Sequence, residues 1–161
     1  DRNDNEAELF MQNLLSFINL KKNSKILDLP CGKGRHAIFI NSLGYDVVGA
    51  DLSENSIDYA KKYTNEKLHF EVQDMRNPFK TKFDAIFNLF TSFGYFDDED
   101  TNIKVLKNLK NGLKENGVLV IDFMNARKVM DNLFKQFKKL QNEVPDPLDV
   151  TKYYNNFFSK M

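Results

Sequence analysis

A chain of 161 residues, 42% of them hydrophobic, is long enough for one globular domain with a sizeable core. Its 23 basic and 23 acidic residues cancel, which removes any global electrostatic case for nucleic acid or an anionic membrane. A single cysteine excludes an internal disulfide framework. No stretch approaches the ~20 apolar residues of a membrane-spanning helix, and no leader peptide is visible at the start, so the expected location is cytoplasmic.

Taken in chain order, residues 4–20 place Leu9, Phe10, Asn13, Leu14, Phe17 and Ile18 at helical spacing and predict an amphipathic helix. Lys25 to Leu29 is a nearly continuous apolar run, the pattern of a strand buried on both faces. A helix follows from Arg35 to Leu43 and stops at Gly44. Asp46 to Ala50 predicts a second strand, and Ser53 N-caps a helix running to Thr64. Leu68 to Val72 and Phe83 to Leu89 predict a third and fourth strand. Asp98, Glu99 and Asp100 load acid onto the start of a helix reaching Leu113. Asn116 and Gly117 turn into a fifth strand that ends near Phe123, and residues 126–141 read as another helix. Strands alternating with helices mean an α/β fold with a mostly parallel sheet covered on both faces.

The run from Ile26 to Arg35, I-L-D-L-P-C-G-K-G-R, concentrates the functional signal. An apolar strand ends on Asp28, enters a tight loop holding Gly32 and Gly34, and opens into a helix. Glycines let backbone approach a ligand where a Cβ would clash. A second strand ends on another acid, Asp51, whose carboxylate is able to accept both hydroxyls of a ribose. This is the layout of a nucleoside-cofactor site in an open α/β sheet. It departs from the dinucleotide pattern G-x-G-x-x-G, because the third glycine is missing. Asp28 just before the turn would repel a pyrophosphate and suit a cofactor with a cationic amine.

On these residues the chain resembles the class I S-adenosylmethionine-dependent methyltransferases. Their first motif, roughly hydrophobic-hydrophobic-D-x-G-x-G-x-G, is met by Asp28, Gly32 and Gly34, with Pro30 where the family usually has its first glycine. The resemblance covers about residues 9–125 and implies a three-layer αβα Rossmann-like fold binding S-adenosyl-L-methionine and releasing S-adenosyl-L-homocysteine. It implies cofactor contacts from Asp28, Pro30, Cys31, Gly32 and Gly34 in the first loop, and from Asp51 and Leu52 after the second strand. Asp74 and Met75 after the third strand would meet the adenine, and Asn88 and Leu89 at the end of the fourth would hold the methionine amine.

Ligands in open α/β sheets bind outside the carboxyl ends of the strands. Substrate is therefore expected beside Asn88 to Phe96, with Thr91, Phe93 and Tyr95 walling the methyl-transfer pocket. The expected acceptor is a small molecule. Only Tyr95 and His36 come forward as candidate proton-transfer groups, and His36 also reads as a structural residue of the first loop's helix. No Cys, His and carboxylate cluster has metal-ligand spacing. Two other functions stay open: a non-catalytic S-adenosylmethionine-binding or interaction module, and an NAD-dependent oxidoreductase.

Family members usually add a strand pair after the fifth strand, and the residues after Asn125 do not read as one. Pro145 and Pro147 break the chain, and Val150, Tyr153, Tyr154, Phe157, Phe158 and Met161 form an aromatic stripe of helical spacing. The expectation is a single domain, 1–161, with a helical tail at 126–161. A truncated chain, natural loss of the hairpin and circular permutation each account for it. Missing strands would open a sheet edge to pairing with a second copy.

Overall fold

The computed structural model describes residues 4–90 and 92–122. The chain divides into a compact unit, Asp1–Phe123, and a second, Met124–Met161. The expected helical tail at 126–161, with its aromatic stripe, lies outside the described residues, as does the substrate-pocket candidate Thr91.

The first unit runs α1 (Asp4–Ile18), β1 (Lys25–Asp28), α2 (Arg35–Ser42), β2 (Asp46–Asp51) and α3 (Glu54–Ala60). A single 3-10 turn, Lys61–Tyr63, continues α3. Then come β3 (Leu68–Val72), β4 (Phe83–Asn88), α4 (Glu99–Gly112) and β5 (Leu113–Ile121). All neighbouring strands pair in parallel, in the order β3-β2-β1-β4-β5. The order reverses beside β1, the place where α/β sheets of this type bind ligands.

Alternation along the strands sorts the side chains into two cores. Ile26, Val47 and Phe87 face α1, α2 and α3, and join Met11, Leu15, Ala37, Ile40, Ile57 and Ala60. Leu27, Val48 and Ile86 face the other way and pack on Val105 and Leu109 of α4. The sheet is therefore covered on both faces, as the apolar runs of β1 and β2 require.

Caps and turns hold the element ends. Ser53 accepts a hydrogen bond from the Ser56 amide at the start of α3, and Asp98 accepts one from the Thr101 amide at the start of α4. Each satisfies a donor that the first helical turn leaves orphaned. Gly44, at φ +96°, ends α2 in the left-handed region. At the amino end of the sheet, the Asp84 carboxylate accepts the Lys25 amide at 2.7 Å and the Lys114 ammonium at 2.8 Å. Burial works against ionisation of Asp84, but these donors outweigh it and hold the carboxyl below the usual carboxylate range.

Two expectations need correction. The buried stripe of α1 is Ala7, Met11 and Leu15, with Phe10, Leu14 and Ile18 beside it, while Leu9 and Phe17 are exposed. The fifth strand begins at Leu113 rather than after Gly117. Leu113 pairs with Phe83, and the next pair is Val118 with Ala85, so residues 114–117 loop out of the ladder. Asn116 takes the positive φ of 60° that this excursion needs. The turn is real, and it sits inside the strand.

Candidate cofactor site

The carboxyl ends of β1, β2 and β3 and the segment after β4 surround a cleft of about 450 Å³. Leu29 and Pro30 come from the first loop, Asp51, Leu52 and Ser53 from the end of β2, and Gln73, Asp74 and Met75 from the end of β3. Ser92, Tyr95 and Phe96 complete it. Five of the predicted cofactor residues, together with the predicted substrate residue Tyr95, thus meet in one concavity of ordinary ligand size.

The first loop is pinned before any ligand is considered. The Leu29 amide donates to the Phe87 carbonyl at 2.9 Å and the Cys31 amide to the Ala50 carbonyl at 2.8 Å, extending the sheet by a step on both sides. The Leu29–Pro30 bond is cis. Gly32 and Gly34 both take positive φ, 55° and 86°. A Cβ added at Gly34 would lie 2.7 Å from the Phe70 ring, whereas one added at Gly32 meets nothing within 4 Å. Gly34 therefore serves close packing, and Gly32 faces open space.

Asp51 ties this loop to the next. Its Oδ2 accepts the Gly32 amide at 2.8 Å and its Oδ1 the Ser53 amide at 2.8 Å. Each carboxylate oxygen keeps a lone pair for a further donor. Truncating this side chain removes both anchors and leaves the part-buried Gly32 amide without its partner, at about 1–3 kcal/mol for a fully buried donor and less here. Asp51→Ala is therefore expected to weaken binding of the adenosyl cofactor at least tenfold, measured by calorimetric titration with S-adenosylhomocysteine. Unchanged affinity would sink the placement of a ribose at Asp51.

Asp28 is 2% exposed at the end of β1. Burial pushes its carboxyl up to about 7; the Ala37 amide works against this and the Asp51 charge adds to it. Its Oδ2 has no hydrogen-bond partner among the described residues. Asn88, fully buried at the end of β4, donates through Nδ2 to the Leu29 carbonyl at 2.8 Å, and its Oδ1 is likewise unpartnered. Two buried, unsatisfied acceptors in one region are uncommon, and both call for a donor. The Asn88 carbonyl itself takes the Asp122 amide, and the Leu89 carbonyl takes the Ser92 hydroxyl.

Asp74 is held by Arg76 through its backbone amide and its guanidinium. The Arg76 side chain keeps the Asp74 carboxyl below the usual carboxylate range. The same guanidinium lies 5.1 Å from the centre of the Phe96 ring, so one side chain links the end of β3 to the segment after β4. Met75 packs against the α4 core, and its carbonyl accepts from Asn108 at 3.2 Å.

Other predicted residues fall elsewhere. His36 does not line this cleft; it is buried and its ring stacks on Phe90 at 4.5 Å. Phe93 is half-buried and also off the lining, while Tyr95 lines the cleft at 81% exposure. Burial pushes the Cys31 thiol well above its usual range, with Asp28 and Asp51 adding to the shift, so no thiolate is available there. Sequence reasoning missed Gly49. A Cβ there would lie 2.5 Å from the Phe70 ring and 3.1 Å from Cys31 Sγ. The contact comes from a neighbouring strand and has no local sequence signal. Sequence reasoning gave Ser53 a capping role alone, and placed Ser92 and Phe96 in the substrate segment without naming them as walls.

No group of three or more His, Cys, Asp or Glu side chains is placed for a metal among the described residues. No helix among them is long and apolar enough to cross a membrane.

With this geometry in place, residues 20–159 match the family model described as a methyltransferase domain. The chain belongs to the methyltransferase-domain family. Its fold is that of the class I S-adenosylmethionine-dependent methyltransferases. The methyltransferase YqeM of Bacillus subtilis strain 168 is 32% identical over 117 residues, which span 70% of this chain and 47% of that relative. A glycine/sarcosine N-methyltransferase of Aphanothece halophytica is 27% identical over 142 residues, covering 83% of this chain and 51% of its own length. The solved TehB-like SAM-dependent methyltransferase of Corynebacterium glutamicum superposes with a TM-score of 0.63 at 28% identity, covering 78% of this methyltransferase-domain chain and 76% of the other. The chain spans about half the length of the curated relatives it matches.

Proposed function

We propose that this methyltransferase-domain chain binds S-adenosyl-L-methionine at the carboxyl ends of β1, β2 and β3 and transfers its methyl group to a small-molecule acceptor. The observation that carries this reading is the pair Asp28 Oδ2 and Asn88 Oδ1: two buried oxygens without a hydrogen-bond partner among the described residues, beside a loop already braced by Asp51. A cationic amine supplies the missing donor, and S-adenosylmethionine carries one. Gly32, open where a Cβ would stand, leaves room for the ligand against the loop. Named relatives that act on glycine and sarcosine support a small acceptor bearing an amine.

When bound, the cofactor supplies a sulfonium-activated methyl group. The chain's own work is to bind, orient and exclude water. In the proposed arrangement Asp51 holds the ribose hydroxyls with its spare lone pairs. Leu52 and Met75 give apolar contact to the adenine, and Asp74, fixed by Arg76, meets its amino edge. Pro30, Cys31 and Gly34 shape the loop, and Leu89 with Asn88 closes the methionine end. Ser92 and Phe96, with Phe93 and Tyr95 on the same segment, stand on the side from which an acceptor approaches. Collinear placement of nucleophile, methyl and sulfur in a dry pocket supplies much of the acceleration in an in-line displacement. Tyr95, at the open mouth, is placed to contact the acceptor, whose proton passes to bulk water. His36, stacked under Phe90, positions the segment after β4.

Thermal unfolding with S-adenosylhomocysteine, S-adenosylmethionine and NAD in parallel tests the reading. A ligand at 100 times its dissociation constant adds about 2.7 kcal/mol, a rise of roughly 5–11 °C at this size. The expected result is a rise with the two adenosyl compounds and none with NAD. A rise with NAD alone, or with none of the three, overturns the proposal. Turnover against a panel of small amines then separates an enzyme from a binding module.

A further inference from the structure

A second concavity lies on the helical side of the molecule. It measures about 550 Å³ and shares no lining residue with the cleft at the strand ends. Ile38 and Phe39 of α2 give it apolar surface, Tyr59 and Tyr63 give it aromatic surface, and Lys33, Arg35 and Glu8 give it charge.

The cations are arranged unusually. The ammonium groups of Lys33 and Lys62 lie 5.2 and 4.8 Å from the centre of the same Tyr59 ring. Among the described residues neither has a carboxylate partner, whereas Lys61, Arg76 and Lys114 each pair with an aspartate. Tyr59 and Tyr63 are 42% and 46% exposed, with ring centroids 6.2 Å apart and planes tilted by 50°. Attraction to the ring holds each ammonium beside it, and no carboxylate among the described residues neutralises either. The neighbouring rings offer a face to a flat partner, the combination by which proteins hold single nucleotides or strands. The chain's zero net charge does not oppose this, because the charge that matters is local.

We propose that this cleft binds an aromatic base carrying a phosphate, with the base against the Tyr59–Tyr63 pair and the phosphate at Lys33 of the lining and at Lys62, which reaches the same Tyr59 ring from outside the lining. Glu8 is the carboxylate of the lining, so a ligand with its negative charge gathered at one end is preferred. The chemistry is shared by a free nucleotide and by one unit of a single strand. The proposal is independent of the cofactor reading, since none of these side chains lines the strand-end cleft.

The test is calorimetric titration of the full chain at low salt with uridine 5′-monophosphate, uridine, inorganic phosphate and a ten-nucleotide uridine strand. Pyrimidines are used so that adenine binding at the strand ends is not measured. The nucleotide is expected to bind more tightly than uridine or phosphate alone, and to weaken as salt is added. Tyr59→Ala and Lys62→Glu should each lower its affinity about tenfold or more, and Lys62→Arg should keep it. Both side chains are exposed, so unfolding temperatures should stay at the wild-type value; Tyr59→Leu serves if Tyr59→Ala lowers it. A strand binding at least tenfold more tightly than the mononucleotide identifies single-stranded nucleic acid as the source, and equal affinities identify a free nucleotide. No binding of either at millimolar concentration, or affinities untouched by both variants, overturns the proposal.

Discussion

Asp28→Asn is expected to stabilise the ligand-free protein at pH 8 and, in the same stroke, to weaken its hold on S-adenosylhomocysteine at least tenfold. The Asp28 carboxyl is buried and pushed up to about 7, against an ordinary value of 3.8. Between about pH 4 and pH 7 the folded protein keeps a proton that the unfolded chain has lost. Stability from this group therefore falls as pH rises across that window, and the full cost of a buried charge is present above pH 7. The asparagine removes the charge and keeps an oxygen for the Ala37 amide. After subtracting the cost of an unpaired amide N–H, a gain of about 2 kcal/mol remains, or roughly 4–8 °C in Tm. The gap between variant and wild type should shrink as pH falls and reverse near pH 4, where only the cost of the unpaired amide N–H remains. A gap of equal size at pH 4 and pH 8 would show that charge is not its cause. Calorimetry on the wild type should show proton release on binding below pH 7, because a bound ammonium draws the Asp28 proton off.

Gly49→Ala should be the most damaging single methyl in the sheet. Its Cβ would stand 2.5 Å from Phe70 and 3.1 Å from Cys31 Sγ, and overpacking of this kind costs about 1–3 kcal/mol and at times more. Denaturant unfolding should place the loss at the upper end of that range, and adding Phe70→Leu should recover part of it. Gly32→Ala provides the contrast. Nothing lies within 4 Å of its Cβ, so only the left-handed backbone at φ +55° opposes it, about 1 kcal/mol. Its methyl would enter the open space where the cofactor is proposed to lie. The protein should fold nearly normally and bind S-adenosylhomocysteine poorly. If Gly32→Ala bound normally, the loop would not contact the ligand.

These two glycines also mark how far the sequence is legible. Gly32 is announced by its neighbours, because a strand ending on Asp28 and a helix opening at Arg35 leave room only for a tight turn. Gly49 reads as an ordinary strand residue, since its constraint is Phe70, a residue of β3 far along the chain. The strands β1, β2 and β4 were readable because parallel strands buried on both faces are apolar throughout. The face of α1 was not, since apolar residues at 9, 10, 11, 14, 15, 17 and 18 cover much of its circumference and periodicity alone has no preferred direction to choose. The start of β5 at Leu113 escaped for a related reason. A local turn signal at Asn116 is genuine, but the pairing of Leu113 with Phe83 is decided by the partner strand. In the site, Asp51 and Asp74 were legible as types at their positions, while the guanidinium of Arg76 bridging Asp74 to Phe96 requires the segment after β4 to be in place.

The two hydrogen bonds of Asp51 have a consequence for timing. Because the Gly32 and Ser53 amides are already held, the loop's disorder is given up when the sheet forms, not when a ligand arrives. Capture then has no slow rearrangement of this loop to wait for, and its rate is set by encounter and dehydration.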